Sequence, residues 1–181
     1  NERIGCFEQA HNGTLFLDEI AELDKTSQVK LLRALENRKI TRVGGNKEIK
    51  VNFRLICATH KNLALEVSKG NFREDLFYRV CGLTIFTPPL RERRTDIVIL
   101  ANYFIQKFCK ENNLKSKTID DTGIKKLINY NYPGNVRELK TIIELACVMS
   151  EGSINADNIQ FIQITKSVDF GSQNYSMKEF E

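Results

Sequence analysis

Gly13-Thr14-Leu15-Phe16-Leu17-Asp18-Glu19 sets three consecutive large apolar residues directly before two adjacent carboxylates. The apolar run predicts a β-strand covered on both faces of a parallel sheet, and ligand sites in such sheets lie just beyond the strand tips. Two acids at a tip could handle a metal and a water. In a nucleotide hydrolase the first would hold Mg²⁺, directly or through its water, and the second would polarise the attacking water. The same pair also fits a loop that merely leads into the next helix, because short motifs recur by chance. The surrounding sequence has to decide.

With 181 residues, 41% of them hydrophobic, the chain can bury a real core as one domain or as two small ones. No apolar run approaches membrane-spanning length and the N-terminus lacks the pattern of a signal peptide, so a cytoplasmic address is expected. The five cysteines, at 6, 57, 81, 109 and 147, are scattered and mostly set among apolar neighbours, as buried small hydrophobes would be. Neither a CxxC motif nor a His/Cys cluster is present, and His11 and His60 stand far apart, which argues against a structural zinc site. An excess of 27 basic over 23 acidic residues is too small to indicate a polyanion partner.

Strands and helices alternate up to Pro88-Pro89, and beyond it the chain reads as helical. Val29, Leu31, Leu32 and Leu35 fall at helical spacing within 26–37, and Ile40 to Val43 and Glu48 to Val51 flank Gly44-Gly45-Asn46 as a β-hairpin would. Phe53 to Ala58 predicts a second buried strand, and it too ends in a polar group, Thr59-His60-Lys61-Asn62. Residues 94–112 place Ile97, Leu100, Ala101, Phe104, Ile105 and Phe108 on one helical face, with further helices expected near 120–130 and 135–150. From Thr165 the chain turns polar, which suggests a linker, and 177–181 read as a helix cut short.

Asn71-Phe72-Arg73-Glu74 and Asn135-Val136-Arg137-Glu138 both read as capping boxes, with Asn at the N-cap and Glu three residues on. Arg73 and Arg137 would then sit in first helical turns, where a cation opposes the helix dipole. A bound anion such as phosphate accounts for that placement, and so does a salt bridge or a solvated guanidinium. Arg79, six residues after Arg73, projects about 120° around the same helix.

Taken together, GTLFLDEI at 13–20, RVGG at 42–45, FREDLFYR at 72–79, PPLRER at 88–93 and YPGNVREL at 132–139 resemble, in this order, the AAA+ domain of bacterial enhancer-binding proteins, the activators of sigma-54 RNA polymerase. The similarity runs from Gly5 to about residue 160. It implies an α/β fold, the C-terminal part of a AAA+ P-loop NTPase core followed by an all-α lid. The implied division is 1–87 for the α/β part, 88–164 for the lid and 165–181 for a linker toward a DNA-binding helix-turn-helix domain. By this resemblance Asp18 and Glu19 are the Walker B pair, with Asp18 serving Mg²⁺ and Glu19 activating water. Thr59 and His60 match the sensor I position, Arg73 and Arg79 the arginine fingers, and Arg137 the sensor II arginine. The hairpin around Gly44-Gly45 matches the insertion before sensor I, which in the family helps move the polymerase-contacting loop. His60 departs from the asparagine most associated with its position. Expected partners are ATP, Mg²⁺, sigma-54 RNA polymerase and further copies of the chain in a hexameric or heptameric ring.

No GxxxxGK[ST] loop and no GAFTGA loop occurs in the 181 residues. The chain therefore reads as an internal fragment that binds ATP poorly by itself. Two other readings are another AAA+ machine, of the chelatase or unfoldase type, and a regulatory relative that no longer hydrolyses ATP. The FREDLFYR and PPLRER motifs argue against the former, and the intact acids and arginines against the latter.

Overall fold

A computed structural model describes residues 4–42 and 44–161. It divides into two compact units, Asn1–Ile85 and Phe86–Glu181. The linker and helix expected within 165–181 lie outside the described residues.

The first unit runs α1 (Cys6–Gln9), β1 (Thr14–Leu17), a 3-10 turn (Ile20–Glu22), α2 (Lys25–Asn37), β2 (Lys39–Thr41), β3 (Glu48–Lys50), β4 (Arg54–Cys57), α3 (Leu63–Ser68) and α4 (Glu74–Val80). β1 and β4 pair in parallel, from Thr14 opposite Arg54 to Leu17 opposite Cys57. Their ladder continues past the strand ends, where Ala58 N–H donates to Leu17 O at 2.9 Å and Ile20 N–H to Ala58 O at 3.0 Å. That continuation holds the two polar tips side by side. Asp24 caps α2 by accepting from Ser27 N–H at 2.9 Å, and the helix buries Leu31, Leu32 and Leu35. These pack with Leu15, Ile20, Val51, Phe53, Phe72 and Leu76 in one core, where full burial of a leucine contributes about 1.5–3 kcal/mol.

Cover on both sheet faces, expected from the apolar run, is found on one face only. Side chains alternate along a strand, so the register that buries Leu15 sends Phe16 and its partner Ile56 the other way, 58% and 43% exposed. The glycine hairpin forms as antiparallel β2 and β3, with Ile40 opposite Ile49. Arg38 adopts a left-handed conformation, φ 53°, at the end of α2 and turns the chain into that hairpin.

The second unit runs from a 3-10 turn (Leu90–Glu92) through α5 (Arg94–Glu111), β5 (Thr118–Ile119), α6 (Asp121–Ile128), α7 (Asn135–Met149) and β6 (Ser153–Ile154) to a 3-10 turn (Ala156–Asn158). Ile97, Ala101, Ile105 and Cys109 of α5 pack with Leu139, Ile142, Ile143 and Ala146 of α7 and with buried Leu90, Leu127, Tyr132 and Ile154. The unit is not purely helical. β5 and β6 pair in parallel over two residues each, too short a run to leave a sequence pattern.

Of the cysteines, Cys109 and Cys147 are buried, Cys57 and Cys81 half-buried and Cys6 exposed, all as free thiols. Burial pushes the Cys57 and Cys147 thiols up to about 11. No helix among the described residues is long and apolar enough to cross a membrane.

Candidate active site

The joined tips of β1 and β4 bring Asp18, Glu19, Thr59 and His60 to one end of the sheet. Glu19 takes a left-handed backbone, φ 51°, at the entry to the 3-10 turn, an uncommon conformation for a residue other than glycine. Hydrogen bonds on either side hold it there, from Ile20 N–H to Ala58 O at 3.0 Å and from Glu22 N–H to Glu19 O at 2.9 Å. Its side chain then meets a residue 41 positions on: Oε2 faces His60 Nδ1 at 2.8 Å and accepts from His60 N–H at 3.3 Å. The hydrogen bond from the His60 ring, helped by its backbone N–H and the nearby Lys61, holds the Glu19 carboxyl below the usual carboxylate range. Oε2 is thus engaged. Oε1 has no hydrogen-bond partner among the described residues.

Asp18 is exposed, and its Oδ1 accepts from Glu19 N–H at 3.1 Å. It makes no ion pair among the described residues. A lone carboxylate of this kind suits Mg²⁺, which takes one or two protein carboxylates and completes its shell with phosphate oxygens and water. Thr59 Oγ1 accepts from Lys61 N–H at 3.1 Å, and Lys61 Nζ reaches Glu22 at 2.7 Å, so the loop after β4 is pinned to the turn after β1.

The arginines differ in how they are held. Arg73 is the N-cap of α4, which begins at Glu74, and its guanidinium grips Asp75 with two bonds of 3.0 and 2.5 Å. The capping box predicted there does not form, because α4 begins at Glu74 with Arg73 as its N-cap, and the Asn71 side chain donates to Glu66 Oε2 at 2.9 Å. Arg79 donates to the Leu35 carbonyl in the last turn of α2 at 3.1 Å, where a cation offsets the negative end of the helix dipole. In the second unit Arg137 is exposed in the first turn of α7 and makes no side-chain hydrogen bond or ion pair among the described residues. Its predicted capping box is also altered. Gly134 is the N-cap, Asn135 Oδ1 accepts from Leu90 N–H at 3.0 Å, its own N–H donates to Tyr132 O at 2.8 Å, and Glu138 Oε2 accepts from Gly134 N–H at 2.8 Å in its place.

Sequence reasoning missed Gln28 and Asp75. Asp75 had a visible signal, an acid two residues beyond an arginine at a helix start. Gln28 had one too, a polar residue one helical turn before the Leu31-Leu32 pair it is buried with.

A family model described as Sigma-54 interaction domain matches residues 1–86, and one described as AAA+ ATPase lid domain matches residues 91–169. The chain belongs to the AAA+ domains of sigma-54-dependent activators. Regulatory protein AtoC of Escherichia coli (strain K12) is 49% identical over 152 residues, which cover 84% of this chain and 33% of that protein. Nitrogen fixation protein AnfA of Azotobacter vinelandii is 48% identical over 150 residues, 83% of this chain and 28% of AnfA. This AAA+ chain therefore spans about a third of the length of these curated relatives. Among solved structures, NtrX from Brucella abortus in complex with ADP superposes with a TM-score of 0.82 at 33% identity, over 87% of this chain and 37% of that one. NtrX in complex with ATP gives the same values. The fold is accordingly that of a AAA+ domain, a parallel sheet with helices followed by a helical lid.

Proposed function

We propose that the chain carries the hydrolytic half of the ATPase motor of a sigma-54-dependent activator. In the cytoplasm, a ring of such subunits would couple ATP hydrolysis to remodelling of the closed complex of sigma-54 RNA polymerase, with promoter DNA bound through a separate domain. The observation that supports this best is the Glu19 carboxylate, held ionised by His60 with one oxygen unengaged among the described residues, beside the exposed Asp18.

Asp18 would hold Mg²⁺, directly or through its water, and the ion supplies screening of the phosphate charge. Glu19 Oε1 would accept a proton from the attacking water, whose oxygen bonds to the γ-phosphorus as the bond to the bridging oxygen breaks and ADP leaves. His60 fixes the direction of that carboxylate, and Thr59 shapes the loop from which His60 projects. Arg73, reaching the site of a neighbouring subunit, stabilises the charge on the transferring phosphoryl group, which requires that it exchange Asp75 for phosphate. Arg79, anchored to the Leu35 carbonyl at the end of α2, is the second arginine offered to the neighbouring subunit. Arg137 contributes a lid-borne cation that senses the nucleotide.

The test is Glu19→Gln in a full-length protein that contains this chain. The substitution keeps size and removes proton-accepting capacity, so turnover should fall about 10²–10⁴-fold while ATP binding persists. Near-normal hydrolysis would remove Glu19 from this role.

A further inference from the structure

Gln28 lies on the inner face of α2 among Leu31, Leu32 and Leu35, and it is fully buried, with 0% exposure. A leucine or methionine would suit that position at less desolvation cost, since a buried amide is tolerated only when its hydrogen bonds are made. Gln28 makes them to three separate partners. Nε2 donates to Leu23 O at 2.8 Å and to Asn71 O at 3.0 Å, and Oε1 accepts from Arg73 N–H at 2.9 Å. With carbonyls on one side and an N–H on the other, the orientation of the amide is settled by its partners.

Those partners belong to the two pieces of the proposed machinery. Leu23 closes the 3-10 turn that begins immediately after Glu19, and Arg73 is the N-cap residue of α4. Asn71 and Arg73 flank Phe72, which is buried in the same core, so Gln28 grips the main chain on both sides of that anchor. The guanidinium of Arg73 has its own partner in Asp75, but the backbone from which the side chain projects is fixed by Gln28.

We infer that Gln28 is a positioning residue for Arg73, setting the main chain from which the arginine reaches a neighbouring subunit and tying it to the turn after the Asp18-Glu19 pair. The inference rests on reading Arg73 as an arginine donated across a subunit interface. A shift of about 1 Å in a positioned group costs up to about 100-fold in rate. Gln28 therefore acts on catalysis without touching substrate, and its defect is felt in the neighbour's site, not in its own.

The experiment uses the full-length protein with Gln28→Met, which keeps volume but leaves Arg73 N–H, Leu23 O and Asn71 O unpartnered. The expected result is an assembled ring whose kcat is lowered about 10- to 100-fold while KM for ATP holds. Mixed with Glu19→Gln subunits, Gln28→Met subunits should regain turnover, because each keeps its own Glu19 and receives a well-placed Arg73 from its neighbour. Mixed with Arg73→Ala subunits they should regain none, since both lack a competent donor. Gln28→Glu retains an acceptor for Arg73 N–H and should keep more turnover than Gln28→Met; it enters the same mixing series if the methionine variant fails to assemble. Normal kcat in an assembled Gln28→Met ring, equal losses in the two variants, or rescue by Arg73→Ala in place of Glu19→Gln overturns the inference. Full activity in Arg73→Ala alone instead overturns the donated-arginine reading on which it rests.

Discussion

Glu19 and His60 are linked through one carboxylate oxygen, Oε2, which takes both the ring contact at 2.8 Å and the backbone N–H at 3.3 Å. A carboxylate on a left-handed residue at a strand tip has room to swing, and two donors from the same neighbour restrict it to one direction. His60→Ala keeps the backbone donor and removes the ring, so Glu19 should lose orientation without losing its charge. Turnover is expected to fall by up to about 100-fold, with ATP affinity little changed, in steady-state kinetics on the full-length protein. An asparagine at this position is short but retains a donor, so His60→Asn should recover part of the loss. Equal activity in His60→Ala and the unaltered protein would show that the ring contact has no part in the reaction.

At the scale of elements, α6 meets the small β5–β6 pair through Gly123. A Cβ there would lie 2.9 Å from Ile119 Cγ1 and 3.0 Å from the Ile154 carbonyl oxygen. Two effects oppose each other in Gly123→Ala. Helix propensity favours alanine by about 0.8–1 kcal/mol, and overpacking costs about 1–3 kcal/mol. The Ile154 carbonyl is main chain, and the same atom accepts from Asp120 N–H at 3.0 Å, so it has little freedom to withdraw. The substitution should therefore destabilise by about 1 kcal/mol net, read as a lowered denaturant midpoint with an unchanged slope. A midpoint that rises would mean that Ile119 repacks and the helix term wins.

For the whole molecule, the proposed function has the arginines donated across a subunit interface, so that they and the acids make a complete catalytic set only when subunits associate; within one chain Arg73 is bound to Asp75 and Arg79 to the end of α2. Specific ATPase activity of the full-length protein should then rise with protein concentration. Arg73→Ala should lower it by about 10³–10⁵-fold, the range for arginine fingers. The chain of 181 residues on its own, which contains no GxxxxGK[ST] phosphate loop, should show no appreciable hydrolysis. A specific activity flat over a range in which sedimentation shows association would argue for a site complete within one subunit.

The tips of β1 and β4 are legible as chemistry from the sequence alone, because a strand ending in acids or in a polar cluster is a local pattern that survives in one dimension. So are the amphipathic faces of α2 and α5, whose apolar spacing is set by helix geometry alone. The family follows from the order of several short motifs, each weak by itself. Three things depend on tertiary contacts. The pairing of Glu19 with His60 joins residues 41 apart, and only the parallel register of β1 and β4 brings them together. The helix starts near Arg73 and Arg137 differ from the expected capping boxes because α4 begins two residues later than an Asn71 cap requires, and because the capping oxygen of Asn135 is taken by Leu90 N–H from outside its helix. Gln28 is a single polar letter in an apolar stripe, and its role exists only in the folded chain. A buried amide takes its meaning from the groups that surround it, and those come from Leu23, Asn71 and Arg73, which the fold alone assembles.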